Sequence, residues 1–274
     1  MKKLIAAVVA SLGMAVAAPT SAIIVGGIDF GTIGLHSELE TATFGETFVN
    51  GVGQTLTGYG LVTTVNGDST YCADGTANCA LYFYFHNYTT TFFNGSQVEF
   101  TGGVVDIYYS GAPAINLLSQ SSAADIAFIT GQTAWVELVG HTFTDPIFNA
   151  TAGTPGATYT LNGNGVLTGA SLSENGEGLL DVRFGAFGLP AVQAYLNGNA
   201  QPDGLGGFGD KTLTSSSNSA VLNPFDTCTF APGQFCLQGT ANLRGATVVP
   251  EPATLALLGL GLVGIVIARR RKQA

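Results

Sequence analysis

The chain has 274 residues, only 10% of them charged, and a formal net charge of −9. Between residues 23 and 247 the imbalance is sharper: seventeen acidic side chains face only Arg183, Lys211 and Arg244, a balance of −14. Such a surface argues against nucleic acid as a partner and disfavours ionic capture of an acidic polymer unless a cation bridges the two, and it leaves Gly, Thr, Ser and Asn to supply most of the wetted surface.

In chain order, Lys2 and Lys3 precede an apolar stretch over 4–18 and a small-residue site, Thr20-Ser21-Ala22. These are the three regions of a secretory signal peptide, with cleavage expected between Ala22 and Ile23 and Ala15-Val16-Ala17 as the competing site. The expected handlers are a secretion translocon and a signal peptidase. The remaining ectodomain, 23–247, is long enough for one large all-β domain or two small ones.

Leu81-Tyr82-Phe83-Tyr84-Phe85 and Tyr88-Thr89-Thr90-Thr91-Phe92-Phe93 are rich in aromatic and β-branched residues and are bounded by Asn and Gly, which predicts strands. Comparable runs cover 97–101, 104–109, 126–130, 134–139, 157–161, 166–172, 179–184 and 241–249. Asn94-Gly95 and Gly102-Gly103 fall between runs, where hairpin turns want residues that accept positive φ. Tyr108 and Tyr109 should point to opposite faces. One helix is predicted, over 190–196, opened by Pro190 and stopped by Asn197-Gly198. Residues 197–219 read as a long surface loop. The expected fold is mainly β: an antiparallel β-sandwich-like ectodomain with one short helix.

Four cysteines form two local pairs, Cys72 with Cys79 and Cys228 with Cys236, and in an exported chain this is the favoured of three disulfide connectivities. Zinc is disfavoured, because the spacings are too long for paired thiolates and no histidine is near in sequence.

No strong catalytic pattern is present. His36, His86 and His141 lack metalloprotease spacing, and no serine sits in a nucleophile elbow. Glycosidases use two carboxylates about 5 to 10 Å apart, and Glu38 with Glu40, Glu99 with Asp106, and Glu174 with Glu177 are the nearest candidates. Oxygen-rich stretches at Asn66-Gly67-Asp68-Ser69, Asn162-Gly163-Asn164 and 203–210 suit calcium better, although none matches a helix-loop-helix calcium pattern. No cofactor is otherwise expected, and any metal ligands are unknown. Tyr82, Tyr84, Tyr88, Tyr108, Tyr109 and Trp135 could stack on sugars, but most should fill the core.

The chain closes on Val249-Pro250-Glu251-Pro252, an apolar run over 253–268, and Arg269-Arg270-Arg271-Lys272. Prolines cannot sit inside a helix. Read as a single transmembrane helix, the run is about 24 Å long against a core of about 30 Å, so it is a short span. Snorkelling arginines assist it, and the basic cluster fixes that end in the cytoplasm with the ectodomain outside. Gly259, Gly261 and Gly264 have dinucleotide-fingerprint spacing but lack the strand, helix and acidic partner that such a site needs.

This order of motif, span and basic tail resembles the PEP-CTERM sorting signal of Gram-negative bacteria that make exopolysaccharide. The resemblance implies an exosortase as partner, transient anchoring in the inner membrane, and delivery to the cell surface or extracellular matrix; an ordinary single-span anchor has no physical need of Pro-Glu-Pro at its mouth. A second resemblance, over 190–208 and 212–217 with Gly206-Gly207-Phe208-Gly209-Asp210-Lys211 and Asp125-Ile126-Ala127-Phe128, is to the flocculation-associated subgroup of these proteins. The expected layout is a signal peptide over 1–22, the ectodomain over 23–247 and the sorting signal over 248–274. The expected role is non-enzymatic, in adhesion, flocculation or biofilm within exopolysaccharide. The alternative is a secreted carbohydrate-binding module or glycoside hydrolase using the same route.

Overall fold

A computed structural model describes residues 22–32, 36–144, 157–169 and 171–248. β1 (Ile24–Val25) and β2 (Ile28–Asp29) form a small hairpin, followed by the long strands β3 (His36–Thr47), β4 (Thr55–Val65), β5 (Ala80–Phe93) and β6 (Gln97–Ser110). Helix α1 (Ser122–Thr130) leads into β7 (Thr133–His141), β8 (Phe143–Thr144), β9 (Thr158–Tyr159), β10 (Leu161–Val166) and β11 (Ser173–Val182). After helix α2 (Pro190–Leu196) come β12 (Gln201–Pro202), β13 (Phe208–Gly209), β14 (Lys211–Asn218) and β15 (Phe235–Ala246).

The antiparallel sheet closes on itself. Its continuous order is β11-β14-β15-β3-β4-β5-β6, and two strands complete the ring. β10 bridges the first halves of β6 and β11, while β7 bridges their second halves. β7 and β10 therefore lie end to end in one position of an eight-position barrel. The expected sandwich is corrected on this point: closure removes the two edges that each sheet of a sandwich would have to protect.

Strand length explains the closure. Asn94-Gly95 makes the expected turn, with the Asn94 N–H donating to the Gln97 carbonyl at 3.1 Å and Gly95 at φ +86°. Gly102-Gly103 is not a turn. It lies inside β6 opposite Asn87 of β5, and all three residues have positive φ. A Cβ on Gly103 would come within 2.1 Å of the Tyr88 ring, so only glycine allows this coil of two 14-residue strands.

Alternation divides the side chains. Leu81, Phe83 and Phe85 join the main core, in which Phe44 stacks on Phe85 with ring centroids 5.1 Å apart. Each such buried side chain contributes about 1.5–3 kcal/mol. Tyr82 and Ala80 face outward and are covered by α1, with Phe128 edge-on to Tyr82. One barrel end is capped by the β1–β2 hairpin and α2, where Phe30 meets Tyr195 at 4.7 Å.

Helix α1 replaces the strand expected over 126–130. The β-branched residues there are outweighed by the alanines before them, by Ser121 as N-cap and by Asp125 in the first turn. α2 is as predicted, with proline in its first turn. Of the strand expected over 166–172, only Val166 lies in one; Leu167 instead donates its N–H to the Gly95 carbonyl at 3.0 Å. The region 197–219 is not one loop, since it holds the β12–β13 hairpin and all of β14. β3 and β4 had no predicted counterpart.

Both disulfides pair as expected. Cys72–Cys79 closes the β4–β5 connection beside the β1–β2 hairpin, and Cys228–Cys236 closes the approach to β15 (Cα–Cα 5.8 and 5.2 Å). Non-reducing peptide mapping should return these two links, and replacing both cysteines of one pair with serine should cost about 2.5 kcal/mol at the upper end. Free thiols or crossed links in the map would refute the local pairing. Among the described residues no helix is long and apolar enough to cross a membrane, and the run over 253–268 lies outside them.

Candidate functional site at the chain exit

The last strand leaves the barrel at a closely built corner. Lys211, the first residue of β14, is fully buried, and its ammonium donates to the carbonyl of Ala246, the last residue of β15. Burial pulls the lysine down to about 8, against the pull of neighbouring Asp210. Asp210 is itself held by the N–H groups of Val182 at 2.7 Å and Asn199 at 2.8 Å. A Cβ on Gly198 would lie 2.4 Å from the Ala246 oxygen, so the end of α2 rests directly on the final strand. The Val248 N–H then donates to the Tyr195 carbonyl at 2.9 Å. The chain is thus held by hydrogen bonds up to residue 248.

The other exit is nearby in the fold. Ala22 is exposed, whereas Ile23 exchanges backbone hydrogen bonds with Gly31 and Phe30 at 3.0 and 2.8 Å. The residues expected to direct sorting, Val249, Pro250, Glu251, Pro252 and Arg269 to Lys272, lie outside the described residues.

Of the three candidate carboxylate pairs, only Glu38 with Glu40 is brought together, on one shared amide. Glu38 and Glu40 both accept from the amide of Asn242, at 2.7 and 3.2 Å, and Glu40 also accepts from Thr64. Glu99 and Asp106 are seven residues apart on one strand, about 23 Å along its path. Glu174 and Glu177 are separated by an odd number of residues and face opposite sides of β11.

Glu174 instead meets Glu46 of β3 inside the barrel, with Ser217 donating to Glu174 at 3.0 Å. Burial, reinforced by the Glu174 charge, pushes Glu46 well above the usual carboxylate range, and burial also raises Glu174. The adjoining cavity, about 10 Å³, has room for a single water at most, so a sugar ring does not reach the pair. No pattern flagged Glu46, which sits among Phe, Gly and Thr.

Two of the three histidines, His86 and His141, go to separate carboxylates. His86 stacks on Tyr84 at 4.7 Å and lies 3.2 Å from Asp106, whose hydrogen bond raises its pKa. His141 bridges Asp181 at 2.7 Å and Asp203 at 3.2 Å. Burial works against its charge, but the two acidic partners outweigh it and hold the imidazole above its ordinary pKa. A histidine with a raised folded pKa stabilises fully below its unfolded pKa, and that contribution is lost as pH rises through the folded value. The urea midpoint should therefore fall as pH rises above the ordinary histidine pKa of about 6.5, and His141→Gln should flatten that fall by about 1–2 kcal/mol. An unchanged slope in the variant would show that His141 carries no charge in the fold.

The oxygen-rich stretches are spent on the fold. Asp68 accepts from the N–H and hydroxyl of Thr70, Asp203 from the N–H groups of Leu205 and Gly207, and Asn162 is buried in β10. Among the described residues no three His, Cys, Asp or Glu side chains gather into a metal-binding group. Of the aromatic candidates, Tyr82, Tyr88, Tyr108 and Trp135 are buried, and Tyr84 and Tyr109 are partly buried. Tyr108 and Tyr109 do take opposite sides: Phe187 caps the first, and the second packs over Gly27.

Sequence reasoning missed a buried latch outside the barrel. Tyr59 lies 2.8 Å from the Ser122 hydroxyl, Asn223 donates to Tyr59 and to Asp125, and Ser122 donates to Asp226. This ties α1 to the segment before β15, and burial drives the Tyr59 phenol far above its ordinary pKa. Its members are scattered from Tyr59 to Asp226, which no local pattern reports.

No curated protein and no solved structure matches the chain. A family model described as the PEP-CTERM protein-sorting motif matches residues 248–272. The strand locked by Lys211 and Tyr195 therefore runs directly into a segment that matches the PEP-CTERM protein-sorting motif.

Proposed function

We propose that the protein is a non-enzymatic component of the cell surface or extracellular matrix, contributing to exopolysaccharide-associated adhesion, flocculation or biofilm. The observation that carries this reading is the sorting motif, which marks an exported, exosortase-targeted chain with a C-terminal membrane anchor before cleavage. A barrel braced by two disulfides and poor in charge suits that exterior setting. The likeness of 190–208 and 212–217 to the flocculation-associated subgroup points the same way.

One observation favours the carbohydrate-binding alternative. The outer face of β14, β15, β3 and β4 forms a trough of about 400 Å³, lined by Glu40, Thr64, Thr214, Ser216, Thr240 and Asn242. Hydroxyl, amide and carboxylate groups of this kind match the hydroxyls of a neutral polysaccharide. Pull-down of exopolymer from the producing strain tests both readings. Retention without change in polymer size supports adhesion, and its loss in Glu40→Ala/Asn242→Ala places binding in the trough. Depolymerisation that disappears when one carboxylate pair is changed would overturn the non-enzymatic reading.

A further inference from the structure

Ile24 and Val248, 53% and 50% exposed, come from opposite ends of the domain yet wall one groove, with Gly26, Ala191, Ala194 and Tyr195 between them. The groove has a volume of about 410 Å³, and no charged side chain lines it. Its floor rests on the single tryptophan of the chain. Trp135 donates its indole N–H to the Gly26 carbonyl at 3.0 Å, and a Cβ on Gly26 would lie 2.5 Å from both that nitrogen and Val192.

Chain length fixes what this face can reach. Between Val248 and the apolar run that starts at Ala253 lie four residues, which extend to at most about 14 Å. On the other side, four residues separate Ile23 from the apolar stretch that ends at Ala18. Both apolar segments leave from the same barrel end, and after the expected cut at Ala22 the C-terminal link alone is too short to let that end turn away. An apolar face held at such a distance removes its surface from water by meeting the lipid boundary.

We propose that, while the chain is anchored, this face docks on the bilayer surface, with Ile24 and Val248 entering the headgroup layer and the Ala191/Ala194 side of α2 lying flat against it. The partner is a zwitterionic lipid surface, because a domain with a balance of −14 gains nothing from anionic headgroups. The inference rests on the sorting reading, which supplies the anchor. Docking would hold the Pro-Glu-Pro segment at a constant height above the membrane for the exosortase.

The test reconstitutes the processed chain, from Ile23 onward, into phosphatidylcholine vesicles with and without a nitroxide on the headgroup. Flotation reports anchoring, and Trp135 emission reports the position of the face. The protein should float with the vesicles, and the headgroup nitroxide should quench Trp135 roughly twofold. Ala191→Glu/Ala194→Glu, at two exposed helix positions, should float equally and melt at the same temperature while losing most of the quenching. Equal emission from both vesicle types, or equal quenching of the variant, would overturn docking while leaving anchoring intact. Absence of flotation would instead remove the anchor, and docking with it. Emission unaffected by the headgroup nitroxide, together with a dimer that the variant dissociates, would assign the groove to a second copy and overturn the membrane as its occupant.

Discussion

With Pro250, Glu251 and Pro252 all changed to alanine, the protein is expected to keep its tail and remain in the membrane fraction, its intact mass extending to Ala274. The native sequence interrupts any helix before Ala253, leaving an apolar run worth about 24 Å against a core of about 30 Å. The triple change removes the two helix-breaking residues and the one charge. It creates 20 consecutive helix-compatible residues from Val249 to Ala268, about 30 Å in length. A signal read by an exosortase then becomes a permanent anchor of full span. Fractionation and intact mass of native and variant proteins, each with and without the exosortase, decide the matter. Processing of the variant at the native rate would show that the enzyme reads something other than this motif.

The second large effect lies at the capped barrel end. Trp135→Ala is expected to cost about 3–5 kcal/mol, measured by circular dichroism in urea because the change removes the only tryptophan. The indole is fully buried, stacks near Phe30 at 6.3 Å and satisfies the Gly26 carbonyl. Its removal opens a void beneath the β1–β2 hairpin and α2 together. Trp135→Phe retains most of the volume but leaves that carbonyl without its donor, so about 1 kcal/mol is expected for it. A loss below about 1 kcal/mol for the alanine variant would mean that the cap collapses into the space and is not held by the indole.

What the sequence made legible follows the range over which each signal acts. Asn94-Gly95, the α2 start at Pro190 and both cysteine pairs depend on a few neighbouring residues, and the structure places them as read. Gly102-Gly103 carried the right requirement, positive φ, and the wrong consequence, because a coil within a strand and a turn between strands ask the same of glycine. Whether eight strand positions close into a ring or split into two sheets depends on the pairing of β3 with β15 and of β6 with β7 and β10, which no local pattern encodes. One candidate carboxylate pair failed for a related reason. Nearness in sequence suggested Glu174 with Glu177, whereas the pleat sends Glu174 inward to Glu46, and the pair exists only because β3 and β11 belong to the same wall. The sorting signal, by contrast, is contiguous, and it is the part of the function that the sequence states directly.

The β3–β15 seam also dictates an order of events. Thr41 accepts from the Ala241 N–H across 200 residues of chain, so the ring cannot close until nearly the whole domain is free to fold. Until then β3 presents an open strand edge in a crowded compartment, and contacts of such sequence separation form slowly. The segment that emerges immediately after β15 is the one that stops translocation. Barrel closure and the sorting motif are thus neighbours in the chain: the strand that seals the ring ends at Ala246, and the motif match begins at residue 248.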